Sequence, residues 1–175
     1  MYLDNDTTLH PVPSQTYIKN YYLAVGPQSV YSAGLTYRPR KWNFAINGHY
    51  LDRNYVSINP NRRTQAAGGF YSAGSPQWHA IFDQEKLPSV FTMDLHTGYS
   101  WDMTRAITGV FKKVHHNTTM NVNLGIYNLL NNTNIINSGY EQLRFDFTNY
   151  QTARFANKYT YGMGTNYMLN VSFRF

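Results

Sequence analysis

The stretch Thr165-Asn-Tyr-Met-Leu-Asn-Val-Ser-Phe-Arg-Phe175 carries the strongest fold signal in the chain. Tyr167, Leu169, Val171, Phe173 and Phe175 are apolar, and Asn166, Met168, Asn170, Ser172 and Arg174 stand between them. A period of two over this length specifies an extended strand with one apolar and one wet face. About 9–11 residues is also the length of a tilted strand that crosses a bilayer. The alternation runs to a terminal aromatic, whereas soluble domains usually finish in a few loose polar residues.

The same period recurs upstream. In Thr119–Leu130, Met120, Val122, Leu124 and Ile126 oppose Asn121, Asn123, Gly125 and Tyr127. In Val90–Trp101, Phe91, Met93, Leu95, Tyr99 and Trp101 oppose Thr92, Asp94, His96, Gly98 and Ser100. Trp42, Phe44, Ile46, Gly48 and Tyr50 oppose Asn43, Ala45, Asn47 and His49. From Val30, the residues Tyr31, Ala33, Leu35 and Tyr37 oppose Ser32, Gly34, Thr36 and Arg38. Arg38-Pro39-Arg40 separates the first two runs, because proline donates no ladder hydrogen bond and marks a turn. Residues 1–27 read as a loop, 54–88 and 131–164 as long irregular stretches rich in Gly and Pro, and 102–118 as a medium connection.

Short and long connections therefore alternate, as in bacterial outer-membrane barrels with short periplasmic turns and long external loops. With Phe175 at the periplasmic side, turns 38–41 and 102–118 are periplasmic, and 54–88 and 131–164 face outward. Tyr37, Trp42, Tyr99 and Trp101 then collect at one level, as an interfacial aromatic girdle does. The expected fold class is all-β: an antiparallel transmembrane β-barrel segment of about five strands. Five strands do not close a membrane barrel, for which about 8 is the minimum, so the remaining strands must come from elsewhere.

Composition agrees. Aromatic residues make up 17%, with 16 Tyr, 10 Phe and 3 Trp, while charged residues make up only 14%, against about 25% in soluble proteins. The mean hydropathy of −0.50 excludes a bundle of membrane helices, and no stretch approaches the ~18 apolar residues that a spanning helix needs. Composition alone also fits a Tyr-rich soluble sandwich. The chain has no Cys, which removes disulfide scaffolds, thiolate zinc sites and Cys nucleophiles. The net charge of +6 raises nucleic acid as a partner, but the basic clusters, Arg38-Pro39-Arg40-Lys41 and Lys112-Lys113, are short turns between apolar strands, so no nucleic-acid partner is expected. The start at Met1 has acids and no apolar core, unlike a signal peptide. A fragment of a longer chain is expected.

Asn123-Leu-Gly-Ile-Tyr-Asn-Leu-Leu-Asn131, Tyr161-Gly-Met-Gly-Thr-Asn-Tyr-Met-Leu169 and the ending Ser172-Phe-Arg-Phe175 resemble the C-terminal end of TonB-dependent outer-membrane receptors. Gly139-Tyr-Glu-Gln-Leu-Arg144 and Ser57-Ile-Asn-Pro-Asn-Arg-Arg63 resemble the branch with a carboxypeptidase-like regulatory domain, which includes importers of glycans and peptides. The resemblance covers roughly residues 20–175. It implies that 1–175 is the C-terminal part of a barrel of about 22 strands around a plug, located in the bacterial outer membrane. The plug, TonB box and signal peptide have no counterpart here. It implies active uptake of a nutrient ligand (glycan, peptide or metal chelate) by the intact receptor. The implied partners are outer-membrane lipid and lipopolysaccharide, the other strands and plug, TonB through the missing N-terminal part, the barrel-assembly machinery and a surface lipoprotein. The closing strand, with Tyr167, Leu169, Val171, Phe173 and Phe175, resembles the signal read by that machinery.

An importer does no covalent chemistry, so no enzyme and no cofactor are expected. Arg62, Arg63, Trp78, His79, Tyr140, Arg144, Tyr150, Arg154 and Tyr159, all in the external stretches, combine aromatic planes with fixed positive charge, which suits sugars, carboxylates or chelated metal. The alternative is that they pack loop against loop or meet lipopolysaccharide phosphates. Asn43, Asn47, His49, Asp94, His96, Asn121 and Asn123 face the lumen, and Asp94 needs a basic partner because a lone buried carboxylate is costly. His115-His116 point to opposite faces on a strand; His49 and His96 are two ligands at most, which is not a metal site. Asp4-Asn5-Asp6 starts like a calcium loop but lacks the later Gly and Glu. No Gly-x-Ser-x-Gly, phosphate loop or dinucleotide fingerprint is present. The Asn-x-Ser/Thr triplets at Asn5, Asn117, Asn131 and Asn170 are chance matches in a bacterial protein. The competing functions are a soluble aromatic-rich carbohydrate-binding β-sandwich and a passive porin-like barrel.

Overall fold

A computed structural model describes residues 2–3, 9–10, 15–110 and 118–174. Met1, Asp4-Asn5-Asp6, Lys112-Lys113, His115-His116, Asn117 and Phe175 lie outside the described residues. Two short strands, β1 (Tyr2–Leu3) and β2 (Leu9–His10), pair antiparallel within the stretch expected to be loop. The main sheet follows: β3 (Ser29–Tyr37), β4 (Trp42–Asp52), β5 (Val90–Asp102), β6 (Thr119–Tyr127) and the last strand, β9 (Asn166–Arg174). These five form one antiparallel sheet in the order β3-β4-β5-β6-β9. Between β6 and β9, the pair β7 (Ile136–Tyr140) and β8 (Lys158–Tyr161) forms a separate two-stranded sheet. The helices α1 (Gln65–Gly68), α2 (Pro76–Phe82) and α3 (Thr104–Val110) lie in the connections.

Register decides what the sheet presents. Leu35 pairs with Ile46, Ile46 with Leu95, Leu95 with Ile126, and Ile126 with Tyr167. One apolar row thus crosses all five strands. A second runs Trp42, Tyr99, Val122, Val171. The opposite face carries the row Asn43, Gly98, Asn123, Asn170. Opposed residues share a face, and a slip of one position would invert every row. The apolar face is open: Leu35 is 72%, Tyr167 71% and Leu169 67% exposed. Soluble monomers rarely expose an apolar patch beyond a few hundred Å². The outer edges of β3 and β9 have no strand partner among the described residues.

Left-handed residues mark the turns. Arg40 in the β3–β4 turn has φ 51, and Trp42 donates its N–H to the Pro39 carbonyl at 2.9 Å. The fourth strand ends at Tyr127, three residues short of the expected Leu130. Asn128 (φ 53) and Asn131 (φ 50) are left-handed, a region that Asn enters more readily than most residues. The Asn128 side chain accepts the Asn132 N–H at 3.1 Å and donates to the Asn132 carbonyl at 2.9 Å, closing the turn. Leu129 and Leu130 therefore lie outside the strand.

The chain divides into two compact units. One is the sheet with its turns: 28–52, 88–135 and 161–175. The other joins 1–27, 53–87 and 136–160. The long connections are more ordered than expected of irregular loops. Ser75 caps α2 by accepting the Trp78 N–H at 3.2 Å, and Pro76 opens the helix without losing a hydrogen bond. Ala67, Ile81, Phe82 and Phe145 form the core of this unit, with Tyr71, Trp78 and Tyr150 packed on it. Gly68 belongs here because a Cβ would sit 2.8 Å from Ile81 Cδ1. The reason these elements escape a periodicity scan is their length: α1 has 4 residues and α2 has 7, too few to show a stripe.

Phe82→Ala empties the centre of that small core and is expected to destabilise the unit by about 3–5 kcal/mol. Amide hydrogen exchange checks this: protection should fall across 65–87 while β4 and β5 keep theirs.

Candidate functional site

The densest set of charged and aromatic groups lies in the unit built from 1–27, 53–87 and 136–160. A 3-10 turn over Pro60–Arg63 starts at Asn59, whose side-chain oxygen accepts the Asn61 N–H at 3.1 Å. It delivers two consecutive arginines to the interior: Arg63 is 0% and Arg62 5% exposed. Glu141 reaches them because β7 docks on Ser57. Ser57 donates to the Gly139 carbonyl at 2.8 Å, and Glu141 donates to the Ser57 carbonyl at 2.9 Å. At Gly139, a Cβ would lie 2.9 Å from Tyr159 and 3.1 Å from Val56, so only glycine allows this approach.

The Glu141 carboxylate accepts from Arg63 Nη2 and, at 2.9 Å, from the Asn59 N–H; Arg62 Nε stands 3.9 Å away. Arg63 also donates to the Asp83 carbonyl at 3.3 Å and lies over the Tyr21 ring at 5.4 Å. Arg62 lies over Phe145 at 5.6 Å and donates to the Phe155 carbonyl and to Asn157 Oδ1, both at 3.4 Å. Burial pulls the Arg62 guanidinium below its ordinary value, and Glu141 opposes that shift. Burial likewise pushes the Tyr21 phenol up. Arg62 Nε and Arg63 Nε and Nη1 make no hydrogen bond among the described residues. Two cations facing one anion in a desolvated site make a geometry that tolerates no loss of the anion.

Beside this cluster is a polar cavity of about 390 Å³, walled by Arg62, Glu85, Glu141, Thr152, Asn157 and Tyr159 among others. Asn157 Nδ2 donates to Glu85 at 2.6 Å, and the Tyr159 hydroxyl donates to it at 2.7 Å. The wall mixes amide, hydroxyl, carboxylate and guanidinium groups, which suits a small ligand rich in hydroxyl or amide groups. Glu85, Glu141 and Asn157 are residues that the sequence did not single out. Glu141 sits inside Gly139-Tyr-Glu-Gln-Leu-Arg144, but its pairing with Arg63 spans 78 positions and has no local signature.

All nine residues expected to contact ligand fall in this unit, and the structure brings Arg62 and Tyr159 to the cavity. Arg63 lies behind it. Trp78 stacks on Phe82 with centroids 5.2 Å apart, and Tyr150 meets Phe70 at 4.7 Å. His79 Nδ1 pairs with Asp83 at 3.0 Å on the surface, where such pairs contribute little. Arg154 reaches Asp146 at 3.3 Å. Tyr140 and Arg144 are exposed. Backbone N–H groups of Asn149 and Thr148, with the Arg154 guanidinium, hold the Asp146 carboxyl below the usual carboxylate range.

In the sheet, Asn43, Asn47, His49, Asp94, His96, Asn121 and Asn123 share the polar face. Asp94 lies 3.5 Å from His49 Nε2 and accepts the Asn128 N–H at 3.0 Å. The other His49 nitrogen contacts the Ser32 hydroxyl at 2.8 Å. His96 lies opposite Ala45 and packs on Tyr127 at 5.3 Å. Among the described residues, no group of three His, Cys, Asp or Glu is placed to hold a metal, and no helix is long and apolar enough to cross a membrane. Comparison with protein-family models, curated proteins and solved structures finds no match.

Two outcomes test this site. Glu141→Gln leaves Arg63 as a buried charge without its counter-ion and is expected to destabilise the unit by about 3–5 kcal/mol, read as a drop in the urea midpoint of its protease resistance. Asp146, with its lowered pKa, stabilises fully above the unfolded carboxylate value of about 3.9. That contribution disappears as pH falls through the lower folded value. In an acid titration followed by protease resistance, Asp146→Asn should be less stable at pH 7 and should lose part of the acid-limb slope.

Proposed function

We propose that the chain is the C-terminal barrel segment of a TonB-dependent outer-membrane receptor, acting in the active uptake of a nutrient ligand such as a glycan, a peptide or a metal chelate. The observation that carries this reading is the row Leu35, Ile46, Leu95, Ile126, Tyr167: continuous across five paired strands, and open at both ends where Leu35 and Tyr167 stand more than two-thirds exposed. In water such a face is a liability, whereas in hydrocarbon it is the surface that a spanning sheet needs. The open edges of β3 and β9 support it too, since backbone groups in lipid must pair with further strands. β7 and β8, at 5 and 4 residues, are too short to span, for which about 9–11 are needed.

On this reading the polar face lines the lumen, and 53–87 and 136–160 are the extracellular segments. The cavity beside Arg62 and Tyr159 then meets the ligand. The plug, the other strands and the TonB contact belong to the rest of the receptor. The assembly machinery reads the closing strand, and lipopolysaccharide and a surface lipoprotein are the outer partners.

Membrane fractionation of bacteria expressing the chain with its receptor context is the test. The protein should pellet with outer membrane and resist carbonate extraction. Val171→Leu should insert normally, and Val171→Arg should lose about 2–4 kcal/mol of insertion near the midplane and be degraded. Recovery of folded protein in the soluble fraction would overturn the proposal in favour of a carbohydrate-binding sandwich. Insertion without any upstream plug would favour a passive porin.

A further inference from the structure

The apolar face is not uniform. Between β4, β5 and β6 it holds a groove of about 470 Å³, lined by Trp42, Thr97, Tyr99, Trp101, Val122 and Leu124. The groove exists because Thr97, opposite Phe44 and Leu124, is short where its neighbours on that face are large. Trp42 packs on Phe44 at 5.4 Å and on Tyr99 at 4.6 Å, and Tyr99 on Trp101 at 5.4 Å, so the aromatic wall is braced. All the lining strands are interior to the sheet, so strands added at the β3 or β9 edge would leave the groove open.

The end of the sheet that holds the groove is basic. The β3–β4 turn carries Arg38, Arg40 and Lys41 immediately before Trp42. The Ser100 N–H donates to the Lys41 carbonyl at 2.9 Å, which ties the turn to the strand between Tyr99 and Trp101. Arg105 and Arg174 lie at the same end, and Asp102 is the only acid there among the described residues. Arg40, Lys41 and Arg105 are exposed.

The geometry points to a binding site for one anionic glycerophospholipid, with an acyl chain in the groove and the headgroup phosphate against Arg40 and Lys41. An apolar slot with aromatic walls takes a methylene chain, and cations at its mouth select a negative headgroup over a zwitterionic one. This site rests on the outer-membrane reading above.

Tryptophan quenching tests it. The intact receptor that carries this chain is reconstituted in phosphatidylcholine vesicles containing increasing brominated phosphatidylglycerol, and in the mirror series with brominated phosphatidylcholine. The share of quenching that disappears in a Trp42→Phe, Trp101→Phe variant belongs to the groove. Phosphatidylglycerol should show the higher relative association constant there, and Lys41→Gln and Arg40→Gln should each reduce that preference roughly fivefold. Equal groove quenching by both lipids would overturn the phospholipid site and leave the membrane reading standing. Absence of quenching by either lipid would overturn the membrane reading, and the site with it.

Discussion

Four antiparallel ladders hold the apolar rows of the main sheet, Leu35 to Tyr167 and Trp42 to Val171, on the same side, and the architecture of the sheet depends on that register. The side-chain period of a strand is two, so a single one-residue slip would put Asn47 and Asp94 among the leucines. Burial on one side usually enforces such a register. Here the apolar face is exposed, and the alternation is kept by strand pairing, by the tight turn at Arg40 and by the Asn128–Asn132 turn. The face is therefore an apolar surface left open among the described residues.

The second unit is held by a different kind of interaction. Its apolar core is small, and a buried carboxylate, Glu141, is shared by Arg63 directly and by Arg62 at longer range. Buried ion pairs contribute less net stability than their distances suggest, because both partners give up water. What they supply is geometry: the pairing ties the turn 60–63 to the end of β7 and shapes the cavity beside Arg62. Residues that look in sequence like ligand contacts, Trp78, Tyr150 and Arg63, are in large part committed to this packing.

The five long strands were legible from Tyr31, Trp42, Phe91, Met120 and Tyr167 onward, because each carries enough alternating positions to define a period. The end of β6 was not, since Leu129 and Leu130 continue the apolar run while the backbone has already turned at Asn128. Elements α1, α2, β7 and β8 were missed for lack of length. The candidate cavity was half visible: Arg62 and Tyr159 stand out as an arginine and an aromatic in loops, whereas Glu85, Glu141 and Asn157 are ordinary loop residues until the fold brings them together.

Local alternation, turn chemistry and the absence of cysteine are properties of neighbouring residues, so the amino-acid sequence by itself determined the all-β class, the two faces of each strand and the level at which the aromatics gather. Tertiary structure alone decided which groups meet. His49 came to lie near Asp94, Glu141 became the partner of Arg63, and Thr97 the floor of a groove between three aromatic rings. Each of these contacts closes a long stretch of chain or crosses a ladder, and no short-range preference of the backbone specifies where such a closure lands.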